Sequence, residues 1–322
     1  MTSEFAFIEA LRAIATNPAA RGLADDAAVI EIGGETLVLT MDTIVETVHC
    51  LPGDPAADVA WKLVAVNVSD LAAKGAEPVG CLVSYALGDE EWDHGFLEGL
   101  QQAATHFAIP LLGGDTVRMP QGAPRSFSLT AIGRGPKGCA IPSRCGAKPG
   151  DRVWVSGTIG DAGLGLAILS GHRFAARSDP VTADWLVRRY RRPAPDVVLG
   201  IALAPHVTAM MDVSDGLLVD SRRMAEASGA GIVISVESVP LSDAHREVAG
   251  QDLDARLAAM TAGDDYCLLF TAPPQRTAQI RKAAAGLGCE VSAIGSVGGG
   301  AGLALVHNGE PIPLPGHLGY QH

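Results

Sequence analysis

The chain has 322 residues, 48% of them hydrophobic and 19% charged, which is enough apolar material for two ordinary domain cores and excludes bulk disorder. Lys and Arg number 24 against 36 Asp and Glu, a net charge of −12, and general nucleic-acid binding is excluded because it needs a basic surface to displace counterions. An acidic chain also repels phosphate ligands unless carboxylate-held divalent cations stand between them.

The 38 Gly and 20 Pro are scattered among apolar runs and mark tight turns. Six cysteines, at 50, 81, 139, 145, 267 and 289, form no C-x-x-C pair, which argues against a zinc site. A chain of this size without a secretory signal gives no reason to expect a disulfide framework. The N-terminus carries Glu4 and Glu9 and no long apolar stretch. The most apolar segment, 197–211, is broken by Pro205 and His206 and is too short to span a membrane. A cytoplasmic protein with no membrane association is expected.

Residues 4–16 are predicted to form a short amphipathic helix, and 35–45 a strand of alternating side chains ending near Asp42. Asp54 and Pro55 suit a helix start, and that helix should run to about Lys74 and stop at Gly75. A helix near 90–107 and strands near 108–113 and 126–133 follow. Residues 134–150 are rich in Gly, Pro and basic side chains and mark the expected boundary between domains 1–137 and 138–322. Beyond it come a strand at 152–156, a Gly-rich turn and a helix at 162–170. Strands at 207–212, 231–236 and 266–271 surround a helix at 216–228. Strands and helices mix in both halves, so the fold class is α/β with mixed α+β layers in two domains.

The aspartates carry the functional signal. Asp26, Asp42, Asp115, Asp212 and Asp215 fall at predicted element ends beside glycines, where a rigid scaffold would collect ligands for a site. Each alone has an ordinary use as a turn residue or helix cap. Asp70 is sharper. Its helix is apolar nearly all round, and Asn67, Asp70 and Lys74 form one narrow polar stripe. A carboxylate in an enclosed helix needs a partner, because an unpaired buried ion costs several kcal/mol. Hard oxygen ligands without a His or Cys pattern suit Mg²⁺, which usually links a few carboxylates to substrate phosphates. The constellation suggests phosphoryl transfer or another reaction on a nucleotide.

Two weaker signals accompany it. Residues 156–165, SGTIGDAGLG, resemble a phosphate-cradling turn but lack the G-K-[ST] ending, and tight strand-to-helix packing explains them equally. Arg188, Arg189, Arg191 and Arg192 surround Tyr190 and read as a solvated face or an acidic-partner contact.

The ordered segments GLADDAAVI, LTMDTIVETVH, WKLVAVNVSDLAAKGAEP, LLGGDT, SRCGAKPGD, MDVSDGL and AGDDYCLLFT resemble the thiamine-monophosphate kinase family, nearly end to end. That family shares a superfamily with aminoimidazole ribonucleotide synthetase and selenophosphate synthetase. VNVSDLAAKGAEP with SDGL marks the superfamily; His49 after the first strand, GGDT and the D-D-Y turn point to the thiamine branch. The resemblance implies a homodimer paired through N-terminal halves, with ATP and several Mg²⁺ ions near the interface and thiamine monophosphate as acceptor. It implies metal binding by Asp26, Thr40, Asp42, Asp70, Asp115, Asp212 and Asp215, with Met41 able to serve only through its backbone carbonyl. Asp42, Asp70 and Asp115 would be catalytic. ATP would meet Gly114, Asp115, Arg144 and Ser214; thiamine monophosphate would meet His49, Asp264 and Tyr320. Three positions depart from the family pattern: Met41 replaces Thr or Ser, and Asp264 and Cys267 replace glutamates. Another ATP-dependent enzyme of the superfamily, or a non-catalytic binder of nucleotide or thiamine phosphate, are the competing expectations.

Overall fold

A computed structural model describes residues 4–172 and 178–320. In the first half, α1 (Glu4–Arg12), β1 (Ala28–Ile32), β2 (Glu35–Val45), α2 (Ala56–Ala73), β3 (Glu77–Leu87), α3 (Glu90–His106), β4 (Leu111–Arg118) and β5 (Ser126–Arg134) follow in order. The second half opens with β6 (Arg152–Ser156), α4 (Asp161–Leu169), α5 (Pro180–Arg191), α6 (Val197–Leu203), β7 (Ala209–Val213) and α7 (Leu217–Ser228). It closes with β8 (Gly231–Ser235), α8 (Asp243–Ala249), α9 (Leu253–Thr261), β9 (Cys267–Ala272), α10 (Thr277–Gly286), β10 (Val291–Gly298), β11 (Gly302–His307) and β12 (Glu310–Ile312).

Among the described residues, strands of the first half form one sheet, β1-β2-β5-β3-β4, and those of the second half another, β12-β11-β8-β10-β6-β9-β7. The layers are mixed α/β, as the alternation of elements predicts. No helix among the described residues is long and apolar enough to cross a membrane.

The predicted strand at 35–45 is β2. The 54–74 helix starts later than its sequence signals suggest. Pro55 takes the capping position without a side-chain bond, because the Asp54 carboxylate is held by the Leu51 amide at 2.8 Å and the Arg191 guanidinium at 2.7 Å. The 108–113 strand is displaced to 111–118. Parallel pairing with β3 carries β4 straight through Gly113 and Gly114, so Asp115 sits inside a strand instead of ending one. A side chain at 114 would meet the Val83 carbonyl oxygen at 1.9 Å, so this approach requires glycine. β3 escapes the pattern reading because Pro78 and Gly80 interrupt its apolar alternation.

α2 joins the two halves. It packs on the first sheet through Leu63, Val64 and Leu71, while Ala72 and Ala73 enter a second core with Leu199, Leu203 and Phe270. A side chain at Gly200 would meet the Ala72 carbonyl at 2.1 Å, so α6 abuts the helix backbone there. Trp61 donates its indole N–H to the Pro193 carbonyl at 2.9 Å. Arg191 pairs with Asp54 and Arg192 with Asp58, so of the two expectations, a solvated face or an acidic contact, these two arginines take the second, with acids of the same chain that brace the halves.

Candidate active site

The polar stripe of α2 lies inside the protein: Asn67 and Lys74 are fully buried and Asp70 is 9% exposed. The helix touches β2 on one side and β7 on the other, which brings carboxylates from distant segments together. One oxygen each from Asp26, Asp70 and Asp212 lie within 4.8 Å of one another. Thr40 donates its hydroxyl to Asp70 and also lies 3.2 Å from the Asp26 carbonyl. Ser69 donates to Asp212 at 2.6 Å. The Asn67 side-chain oxygen accepts the Asp42 amide at 2.9 Å and so fixes β2 at that residue.

These carboxylates are crowded and dehydrated. Burial, then the charges of Asp26 and Asp215, raise Asp42 to about 6. Burial and the Asp26 charge raise Asp212 to about 8. Burial, followed by Asp42, Asp212 and Asp26, pushes Asp70 well above the usual carboxylate range. The adjoining pair behaves differently. Burial also disfavours charge on Asp25 and Asp26, but Lys74 outweighs it; Asp25 falls to about 2, and Asp26 is lowered further by Arg144. Lys74 Nζ lies 2.5 Å from Asp25 and 2.7 Å from Asp26. A like-charged group of hard oxygen donors, with raised proton affinity and no His or Cys, has the chemistry of a divalent-cation site of the Mg²⁺ kind.

The cluster forms one wall of a cavity of about 880 Å³. Another part is lined by His49, Cys50, Leu51, Lys62, Leu166, Tyr190 and Asp264. The Val45 amide donates to His49 Nδ1 at 3.0 Å. That bond makes Nδ1 an acceptor and fixes the orientation of the ring at the cavity wall. The turn 262–266 is pinned beside β7: the Asp264 amide donates to the Ser214 carbonyl at 2.7 Å and the Tyr266 amide to the Val213 carbonyl at 2.8 Å. Asp264 and Tyr266 adopt φ of 68° and 49°, a left-handed conformation costly for ordinary residues, which holds both side chains beside the cavity. The C-terminal tail reaches the same place. Tyr320 donates its amide to the Asp215 carbonyl at 2.9 Å, and Gly319 leaves no room for a side chain against that oxygen.

The cavity therefore gathers Asp26, Asp42, His49, Asp70, Arg144, Asp212, Ser214, Asp215, Asp264 and Tyr320. Thr40 lies behind Asp70. Met41 points the other way and is 65% exposed. Gly114 and Asp115 stay outside the cavity of the single chain, on β4, whose eight residues are all exposed. The sequence reading missed Asp25, Lys62, Tyr190, Arg223 and Tyr266, which also line the cavity, Arg223 pairing there with Asp215. Asp25 offered a signal in its adjacency to Asp26; Lys62 looked like an ordinary long side chain within a helix, and Tyr190 was read only as the centre of an arginine cluster. The Gly-rich turn works as packing. Gly160 donates its amide to both oxygens of Asp265, at 3.0 and 2.9 Å, while Gly163 borders the cavity.

Residues 24–135 match the family described as AIR synthase related protein, N-terminal domain, and residues 148–308 match its C-terminal domain. A thiamine-monophosphate kinase of Caulobacter vibrioides is 40% identical over 319 residues, covering 95% of this chain and 86% of that protein. The chain belongs to the thiamine-monophosphate kinase family. The Escherichia coli K12 thiamine-monophosphate kinase is 38% identical, with 94% and 91% of the two chains covered. Among solved structures, AaThiL complexed with AMPPCP and TMP superposes with a TM-score of 0.84 at 28% identity, covering 99% of this chain and 97% of that one. The thiamine-monophosphate kinase of Stenotrophomonas maltophilia K279a superposes with a TM-score of 0.78 at 36% identity, covering 96% of both chains. Within the kinase family, the cavity between the two halves is the candidate active site.

Proposed function

We propose that this chain transfers the γ-phosphate of ATP to the phosphate of thiamine monophosphate, releasing thiamine diphosphate and ADP. The observation that carries this reading is the clustering of Asp26, Asp70 and Asp212 beside a chamber lined by His49 and Asp264. Full-length similarity to thiamine-monophosphate kinases supports the choice of substrates.

Asp26, Asp70 and Asp212, with Asp42 and Asp215, would hold Mg²⁺. When bound, Mg²⁺ supplies neutralisation of the charge shared between two anionic substrates. Arg144 and Ser214 border the nucleotide side, and Arg144 offers a planar guanidinium suited to phosphate oxygens. His49, Asp264 and Tyr320 would border the acceptor phosphate. The attacking oxygen is already anionic, so the step needs positioning and not a strong base. It attacks the γ-phosphorus in line, the bond to the β,γ-bridging oxygen breaks, and ADP takes the electron pair.

We assign Gly114, Asp115 and the Met41 carbonyl to the same reaction through a homodimer. β4 is an exposed edge strand carrying Leu111, Leu112 and Val117, a surface suited to a second copy. The domain division falls at 137/138 in this reading, and we assign the enzyme to the cytoplasm. Product identification tests the reaction: ATP, Mg²⁺ and thiamine monophosphate should give thiamine diphosphate, and free thiamine should be a poor acceptor. ADP and inorganic phosphate without thiamine diphosphate would contradict it.

A further inference from the structure

Lys62 is 3% exposed, yet it sits in an acidic protein at the edge of a substrate-sized cavity. Burying an ammonium is costly unless its charge and donors are engaged. Lys62 Nζ donates two hydrogen bonds, to Asp264 Oδ2 at 3.0 Å and to the His49 carbonyl at 3.2 Å, and its charge lies 4.0 Å from the centre of the Tyr190 ring. The lysine projects from α2 of the first half; Asp264 belongs to the second half, 202 residues away. One cation thus ties together the two segments that flank the acceptor chamber.

We infer that Lys62 is a positioning residue for the phosphate acceptor, acting through Asp264 and the His49 loop. The inference rests on the kinase reading given above for this cavity. Two physical effects carry it. The first is geometric. Asp264 has one oxygen on Lys62, and its other oxygen accepts the Tyr266 hydroxyl at 3.0 Å, so the carboxylate is held from both sides. His49 is held from both ends, its ring by the Val45 amide and its carbonyl by Lys62. A shift of the ammonium releases both segments at once.

The second effect is electrostatic. Asp26, Asp42, Asp70, Asp212 and Asp215 already border this cavity, and an anionic acceptor must enter it. Asp264 would add a further negative charge beside the entering phosphate. Lys62 offsets that charge at its source, and both of its hydrogen bonds go to segments flanking the acceptor chamber. The effect should therefore fall on the acceptor and spare ATP.

The test is a double-mutant cycle on the full-length protein with Lys62→Met and Asp264→Asn, read as separate Michaelis constants for thiamine monophosphate and ATP. Lys62→Met should raise the constant for thiamine monophosphate about tenfold or more, the scale of a lost charge-assisted hydrogen bond, and leave that for ATP within about twofold. The effect of Lys62→Met should largely vanish in the Asp264→Asn background. Lys62→Arg, which keeps the charge, should recover part of the loss. Equal losses for both substrates, or additive effects of the two substitutions, would overturn the inference. Should Lys62→Met fail to fold, the same comparison is made with Lys62→Gln. Should the wild-type protein bind thiamine monophosphate without phosphorylating it, the kinase reading fails, and calorimetric dissociation constants for the two ligands decide the role of Lys62 by the same pattern.

Discussion

The Ser69 hydroxyl donates to Asp212 at 2.6 Å, so the helix of the first half supports a carboxylate from the second. Neither residue is exposed by more than 4%. Ser69→Ala removes a donor that favours ionised Asp212, and a hydrogen bond to a charged group contributes about 1.5–3 kcal/mol. The Mg²⁺ concentration giving half-maximal rate should rise about tenfold or more. A Mg²⁺ titration of initial rates reads this directly; an unchanged midpoint would mean that Asp212 does not serve a cation.

Asp70→Asn should remove most turnover while leaving the Mg²⁺-free thermal midpoint equal or higher. Asp70 is buried among Asp26, Asp42 and Asp212, so losing its charge relieves repulsion. The contrast between lost activity and kept stability separates a ligand from a structural acid. Unfolding with an unaltered Mg²⁺ dependence would identify the structural role.

The same crowding sets a pH dependence. Asp42 and Asp212 have folded-state values raised to about 6 and about 8 from 3.8. The native state therefore binds more protons than the unfolded chain above about pH 4, and stability falls as pH rises through the folded values. Without Mg²⁺, the thermal midpoint should decline between about pH 5 and 8, and saturating Mg²⁺ should flatten that decline. Scanning calorimetry at several pH values measures both. A midpoint that climbs over this range without Mg²⁺ would contradict the crowded carboxylate site.

Met41→Thr should change the Mg²⁺ requirement by less than about tenfold, or roughly 1.4 kcal/mol. The Met41 side chain is 65% exposed, while neighbouring Thr40 is 7% exposed and bonded to Asp70. Strand alternation sends the two to opposite faces. A much larger gain on substitution, measured in the same Mg²⁺ titration, would mean that position 41 controls cation affinity.

Much of the carboxylate wall was legible because its pattern is local in sequence. Asp70 stood out as an acid in an apolar helix, and Asp212 and Asp215 stood out beside Gly216. What escaped depends on tertiary placement. Lys62 carries no periodic signal that distinguishes a buried clasp from a lysine reaching to water, and its partner lies 202 residues away. Asp115 was read as a strand terminus because glycines usually end strands; parallel pairing with β3 carried the strand past them. Arg191 and Arg192 could be read only as a solvated face or an acidic contact, because the acids they meet, Asp54 and Asp58, are distant in sequence.

Transfer of label from ATP tests the proposed reaction most directly. With γ-labelled ATP, Mg²⁺ and thiamine monophosphate, the label should appear in the terminal phosphate of thiamine diphosphate, in amounts equal to the ADP formed, with none retained on the protein. Label found only in inorganic phosphate, or trapped on the chain as a phosphoenzyme, would contradict direct transfer between the two substrates.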